Sequence, residues 1–171
     1  MNDFYKQPIL LQWLEAILLL LLGFYPALFI FEIAYKQPLF YLLFLIYIPI
    51  VQFSATPIFK LSGMYKYYSY MLLGYMPNKI KIDLHSGTSF DYLFAMRHVK
   101  TGIETRNNLL VFHLEGLINL INEIENDIIP KTVHIVGTSY FFNEKTLNKL
   151  GFELKQASMF YRINLFVNFI D

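Results

Sequence analysis

The chain contains no cysteine, so disulfides cannot hold it together, and that absence does not choose between a reducing compartment and a disulfide-free periplasmic domain. Charge is scarce as well: Asp, Glu, Lys and Arg make up 16% of the 171 residues, and the formal net charge is +1. No basic stripe marks a face for nucleic acid, which is therefore not a favoured partner. Apolar residues take the place of charge. They reach 56%, with aromatics at 18%, above the roughly 45–50% apolar content of an ordinary soluble domain. A purely soluble protein does not fit this composition.

The apolar excess sits at the N-terminal end. Ile9 to Ala34, "ILLQWLEAILLLLLGFYPALFIFEIA", carries only Glu15 and Glu32 as charges, and Gln37 to Phe59, "QPLFYLLFLIYIPIVQFSATPIF", carries none. Both reach the ~20 apolar residues a helix needs to cross a bilayer. Met1 to Pro8 lacks the basic character of a secretory leader and no small-residue cleavage site follows, so the first helix is expected to be retained. Only "YKQP", Tyr35 to Pro38, separates the two runs, which predicts a tight antiparallel hairpin. Lys60, Lys66, Lys79, Lys81 and Arg97 follow the second run and Lys6 precedes the first, against Lys36 alone at the tip. The positive-inside rule then puts both termini and the C-terminal domain in the cytoplasm. Pro26, Pro49 and Pro57 remove backbone donors within the two helices and are expected to bend them.

Three regions follow: a transmembrane hairpin over residues 1–59, an interfacial aromatic segment over 60–76, and a small cytoplasmic α/β domain with a mixed sheet over 77–171. In the middle segment Tyr65, Tyr67, Tyr68, Tyr70 and Tyr75 alternate with methionines and lysines, a composition suited to the membrane surface. Beyond it, basic and acidic residues balance. "KIKIDLH" (79–85) alternates as a strand, and "SFDYLFAMRHV" is ambiguous between strand and short helix. Residues 105–127 have a helical apolar rhythm, "TVHIV" (132–136) reads as a strand, and "NEKTLNKLG" (143–151) as a short helix closed by glycine. "FELKQA" and "MFYRINLFVNFI" read as two closing strands. The last of these, apolar to the chain end, is expected to be buried, paired, or laid against membrane or a second copy, so a homo-oligomer or a membrane protein partner is plausible.

Two stretches share a Gly-Thr-Ser turn, "DLHSGTSFD" (83–91) and "VHIVGTSYFFNEK" (133–145). A glycine leaving a strand lets backbone N–H groups face an anion, and Thr and Ser add hydroxyls. Neighbouring strands would bring Gly87, Thr88 and Ser89 to the same edge as Gly137, Thr138 and Ser139, with Asp83, His85 and Asp91 beside them as substrate-binding residues; otherwise both stretches are ordinary turns, the reading favoured from sequence. Asp83 and His85 share a strand face at a spacing of two, which is a metal-ligand pattern. "DLHSG" resembles the opening block of the calcineurin-like metallophosphoesterases and the "DLH" of zinc carboxypeptidase-like deacylases. The later acid and histidine blocks of those families are absent, so no metal ligands are assigned.

Residues 122–152 resemble the C-terminal part of the GNAT-type N-acetyltransferase superfamily, carried by "TVHIVGTSYFFNEKTLNKLGFEL" and its block Lys149, Leu150, Gly151, Phe152. The resemblance implies an acyl-thioester donor such as acyl-CoA held between splayed strands. Tyr140 would then be the general acid for the thiolate, with His113 or Glu115 as base. The reading from sequence is therefore a membrane-anchored acyltransferase-like enzyme acting on a lipid or lipid-linked substrate. Its alternatives are a non-catalytic membrane adaptor or complex subunit, and a small metal-dependent hydrolase built on Asp83 and His85.

Overall fold

The computed structural model describes residues 3–137, 144–149 and 151–153. A 3-10 turn, Asp3–Lys6, leads into helix α1 (Ile9–Lys36). A second 3-10 turn, Pro38–Leu42, then leads into helix α2 (Leu43–Leu61). Both are long and apolar enough to cross a membrane. A core helix of a soluble protein would bury such a surface, yet only 11% of the most apolar stretch of α1 is buried. Leu10, Leu14, Leu21 and Leu28 all point outward from it.

The two helices meet through small residues, which let backbones approach. A Cβ on Gly23 would collide with the Ser54 side chain, so the glycine permits a close approach of α1 to α2 here. The Tyr47 hydroxyl donates to the Gly23 carbonyl, three residues before Pro26. Ser54 and Thr56 donate to the carbonyls of Ile50 and Gln52, each at 2.8 Å, so their hydroxyls are satisfied within the helix. Gln12 in α1 donates to the carbonyls of Tyr5 and Gln7, at 3.1 and 2.7 Å, and so folds the N-terminal turn back against the helix.

The remaining described chain is a small α/β unit. Its strands are β1 (Tyr65–Tyr67), β2 (Leu72–Tyr75), β3 (Lys81–Ser86) and β4 (His134–Gly137), and they lie side by side in that order. β1, β2 and β3 pair antiparallel, and β3 and β4 pair parallel, so the sheet is mixed as expected. The tyrosine-rich tract of residues 60–76 supplies two of those four strands and thus continues the sheet. Tyr68, Met71, Leu72 and Leu73 are buried in the fold.

The ambiguous segment after β3 is a helix, α3 (Ser89–Met96), and the long apolar pattern is α4 (Ile103–Glu125). α4 covers one sheet face, where Leu120 meets Leu72, Ile82 and Leu84. Gly116 permits this approach: a Cβ there would stand 2.7 Å from both Cβ and Cδ2 of Leu72. Tyr68 belongs to the same core, and Asn119 of α4 donates to the Tyr68 carbonyl at 2.7 Å. A short helix α5 (Glu144–Lys149) ends before Gly151, whose φ of +81° suits a residue without a side chain. That turn accounts for the glycine of the "KLGF" block by helix termination. The two closing strands expected after Gly151 lie outside the described residues, apart from Phe152 and Glu153.

Candidate functional site

β3 and β4 run parallel as neighbours, with Leu84 opposite Gly137, so both chains leave the sheet on one edge. The carboxyl ends of parallel strands are the usual place for ligands in α/β sheets. On the β3 side this edge reads Ser86, Gly87, Thr88. On the β4 side Gly137 is described, while Thr138, Ser139 and Tyr140 lie outside the described residues.

The first Gly-Thr-Ser turn uses its donors internally. Gly87 N–H donates to the Met71 carbonyl at 3.0 Å, and Thr88 N–H donates to Asp91 Oδ2 at 3.0 Å. Asp91 N–H in turn reaches Thr88 Oγ1 at 3.4 Å, which completes a capping box at the start of α3. Two further hydroxyls donate to the same Oδ2: Thr88 Oγ1 at 2.9 Å and Tyr67 at 2.7 Å. Asp91 is 3% exposed. Burial lifts its pKa above the ordinary carboxylate value, against the opposing pull of the Tyr67 and Thr88 hydrogen bonds and the nearby Lys60 charge. The same burial, reinforced by the Asp91 charge, pushes Tyr67 far above the phenol range, and Tyr65 is pushed up to about 12.

This cluster is also where the α/β unit meets the apolar hairpin. Thr56 Oγ1 of α2 lies 3.1 Å from Thr88 Oγ1, and the Lys60 ammonium sits over the rings of Tyr67 and Tyr5, 5.3 and 5.9 Å from their centroids. Phe90 of α3 packs edge-on to Phe4 and Phe53 in an apolar cluster that includes Ala16 of α1. Arg97 reaches Asp3 at 2.8 Å. The N-terminal turn, the C-terminal end of α2 and the turn after β3 therefore pack as one junction, at the same end of the hairpin.

A second pairing on this edge joins residues far apart in sequence. His113 in α4 is 2% exposed, and its Nδ1 lies 2.7 Å from the Leu109 carbonyl, one turn back along the helix. An Nδ1–H donating to that carbonyl leaves Nε2 as an acceptor. Facing Nε2 at 3.2 Å is Ser86 Oγ, on the last residue of β3. Burial holds the His113 pKa below the ordinary imidazole value, more than the Leu109 hydrogen bond raises it, so the ring is neutral near pH 7. A strand-end serine, a neutral imidazole and a third group orienting the far nitrogen form a nucleophile–base arrangement. Leu109, whose carbonyl holds Nδ1, belongs to an apolar cluster with Met71 and Met96, and Tyr70 and Phe112 pack against that cluster.

The other residues singled out from sequence fall elsewhere. Glu115 is exposed and two positions from His113, hence on a different side of α4. Asp83 and His85 do share a sheet face, His85 Nε2 lying 3.5 Å from Asp83 Oδ1, with Lys81 on the other carboxylate oxygen at 3.1 Å. Burial lowers the His85 pKa in spite of Asp83. Among the described residues no group of three or more His, Asp or Glu side chains gathers as metal ligands. Ser89 belongs to the first turn of α3, and its Oγ is buried without a hydrogen-bond partner. Ser86 was not singled out from sequence. The signal for it was present: a serine in phase with Ile82 and Leu84, hence on the face toward α4, at the last position of the strand. The chain matches no known protein-family model, no curated protein and no solved structure.

Proposed function

We propose that this protein is a membrane-anchored acyltransferase-like enzyme acting on a lipid or lipid-linked substrate, with Ser86 as nucleophile and His113 as its base. The observation that carries this reading is the 3.2 Å approach of Ser86 Oγ to His113 Nε2 while Leu109 holds Nδ1. The lipid class is supported by position, because the turn after Ser86 packs directly on Thr56 near the end of a helix long enough to span a bilayer. Apolar α1 and α2 are read as the anchor, with both termini in the cytoplasm on the lysine asymmetry around the hairpin.

In the first half-reaction Ser86 Oγ attacks the carbonyl carbon of an acyl thioester, and its proton passes to His113 Nε2. Collapse of the tetrahedral adduct breaks the C–S bond, and His113 returns that proton to the departing thiolate. The acyl-serine ester is then attacked by a hydroxyl or amine of the lipid acceptor, whose proton His113 takes and hands back to Ser86 as the ester bond breaks. The imidazole must be neutral to begin, and burial keeps it so.

Incubation of the detergent-solubilised full chain with a fluorophosphonate probe, followed by intact-mass and peptide analysis, tests the assignment. One covalent adduct on Ser86 is expected, absent in Ser86→Ala and slowed about 100-fold or more in His113→Gln, the usual range for a general base. No adduct on Ser86, in protein whose α4 keeps its native hydrogen-exchange protection, would sink the assignment.

A second reading, a non-catalytic adaptor or complex subunit, is favoured by the outer face of α4. Val111, Leu114, Ile118 and Ile121 form an exposed apolar stripe opposite the buried Leu109, His113, Gly116 and Leu120. For an adaptor, Ile118→Lys would abolish complex formation, and Ser86→Ala would leave it intact.

A further inference from the structure

The loop between α3 and α4 is basic and apolar at once. With the first turn of α4 it reads "RHVKTGIETR", residues 97–106, which holds Arg97, His98, Lys100 and Arg106 against Glu104 alone. Arg97 is engaged by Asp3, whereas Lys100 and Arg106 are exposed, and Ile103 is 79% exposed. Gly102, the residue before α4, has a φ of +100° and open space around it, and Ile103 follows as the first residue of the helix. The loop also starts at a fixed level. Arg97 bonds Asp3 just ahead of α1, and Phe94, one turn earlier, packs in the cluster that holds Ile58 and Leu61 of α2. The segment thus emerges beside the ends of both long apolar helices, and Tyr92 and Leu93 of α3 are exposed nearby.

We propose that this loop is a second contact with the membrane, in which Ile103 enters the headgroup layer of an anionic lipid surface and Lys100 and Arg106 engage the lipid phosphates. An exposed apolar residue flanked by cations fits such a surface, where burial and electrostatic attraction add. The contact would hold the α/β unit down at the end of the hairpin and limit how far the edge carrying Ser86 can swing from the lipid. The inference rests on α1 and α2 spanning the bilayer.

Because the chain has no cysteine, each position can be labelled singly. Full-length Ile103→Cys, Leu28→Cys and Lys131→Cys, each carrying an environment-sensitive fluorophore, would be reconstituted in nanodiscs of phosphatidylcholine with or without phosphatidylglycerol. The expected result is blue-shifted emission at 28 in both lipids, water-like emission at 131, and a blue shift at 103 that appears with phosphatidylglycerol and is lost in Lys100→Glu/Arg106→Glu. Water-like emission at 103 in the anionic nanodisc, with 28 still in lipid, would overturn the loop contact alone. Water-like emission at 28 would overturn the membrane reading and the loop contact together. A blue shift at 103 that charge reversal leaves unchanged would overturn the phosphate contacts.

Discussion

Asp91→Ala tests whether the junction between the hairpin and the sheet depends on one buried carboxylate. The substitution leaves the N-cap Thr88 in place but removes the acceptor of its N–H in the capping box, and loss of such a hydrogen bond costs about 1 kcal/mol. It also strips the acceptor from the Tyr67 hydroxyl, which stands 2.7 Å from Oδ2, and a buried hydroxyl without a partner costs about 1–3 kcal/mol. Together these give about 2–4 kcal/mol against α3 and its seating on α2, which corresponds to about a 30- to 700-fold rise in local opening. Hydrogen exchange of the α3 amides in the detergent-solubilised full chain measures that opening directly. Asp91→Asn keeps an acceptor oxygen and the side-chain volume, so it should fall well short of Asp91→Ala. Burial raises the Asp91 pKa above its ordinary 3.8, so the native state holds its proton longer than the unfolded chain. Its contribution is thus fully present below that value and declines as pH rises through the folded value. The gap between native protein and Asp91→Ala should therefore narrow with rising pH, and Asp91→Asn should lose that slope. A less than about threefold change in α3 exchange for Asp91→Ala would refute the assignment of Asp91 as the junction's organiser.

Gly116→Ala should destabilise the α/β unit by about 1–3 kcal/mol, because the new methyl meets the buried Leu72 side chain at 2.7 Å and α4 must lift from the sheet; denaturant unfolding checks it. His113 has a lowered pKa, so the unfolded chain takes up a proton there before the folded one does. Its contribution is complete above the ordinary imidazole value of 6.5 and is lost as pH falls toward the folded value. His113→Gln should flatten that acid slope in pH-dependent unfolding.

Local patterns in the chain announced much of the fold. The alternation of Ile80, Ile82 and Leu84 marked β3, and the apolar rhythm from Leu109 to Ile124 marked α4. The helix after β3 was ambiguous on apolar periodicity, although Thr88 and Asp91 stand at capping-box spacing. β1 and β2 were hidden for a different reason. Their strands are three and four residues long, too short for a period of two to stand out from the tyrosines and methionines around them. Tyr67 turns to Asp91, while its neighbour Tyr68 turns into the core under α4.

Composition by itself determined the two long apolar helices and the tight turn between them, because an uninterrupted apolar run is a property of the chain that no folding partner is needed to create. Local spacing likewise determined β3, α4 and the short helix closed at Gly151. The site was decided only by tertiary structure. Ser86 and His113 meet because Gly116 lets α4 approach Leu72, the residue paired with Ser86 across the sheet. The first Gly-Thr-Ser turn has its Gly87 and Thr88 amides committed because Met71 and Asp91 reach them in the folded chain. A strand-end serine and a helical histidine carry no mutual signal in sequence; packing distance and hydrogen-bond direction make them a pair.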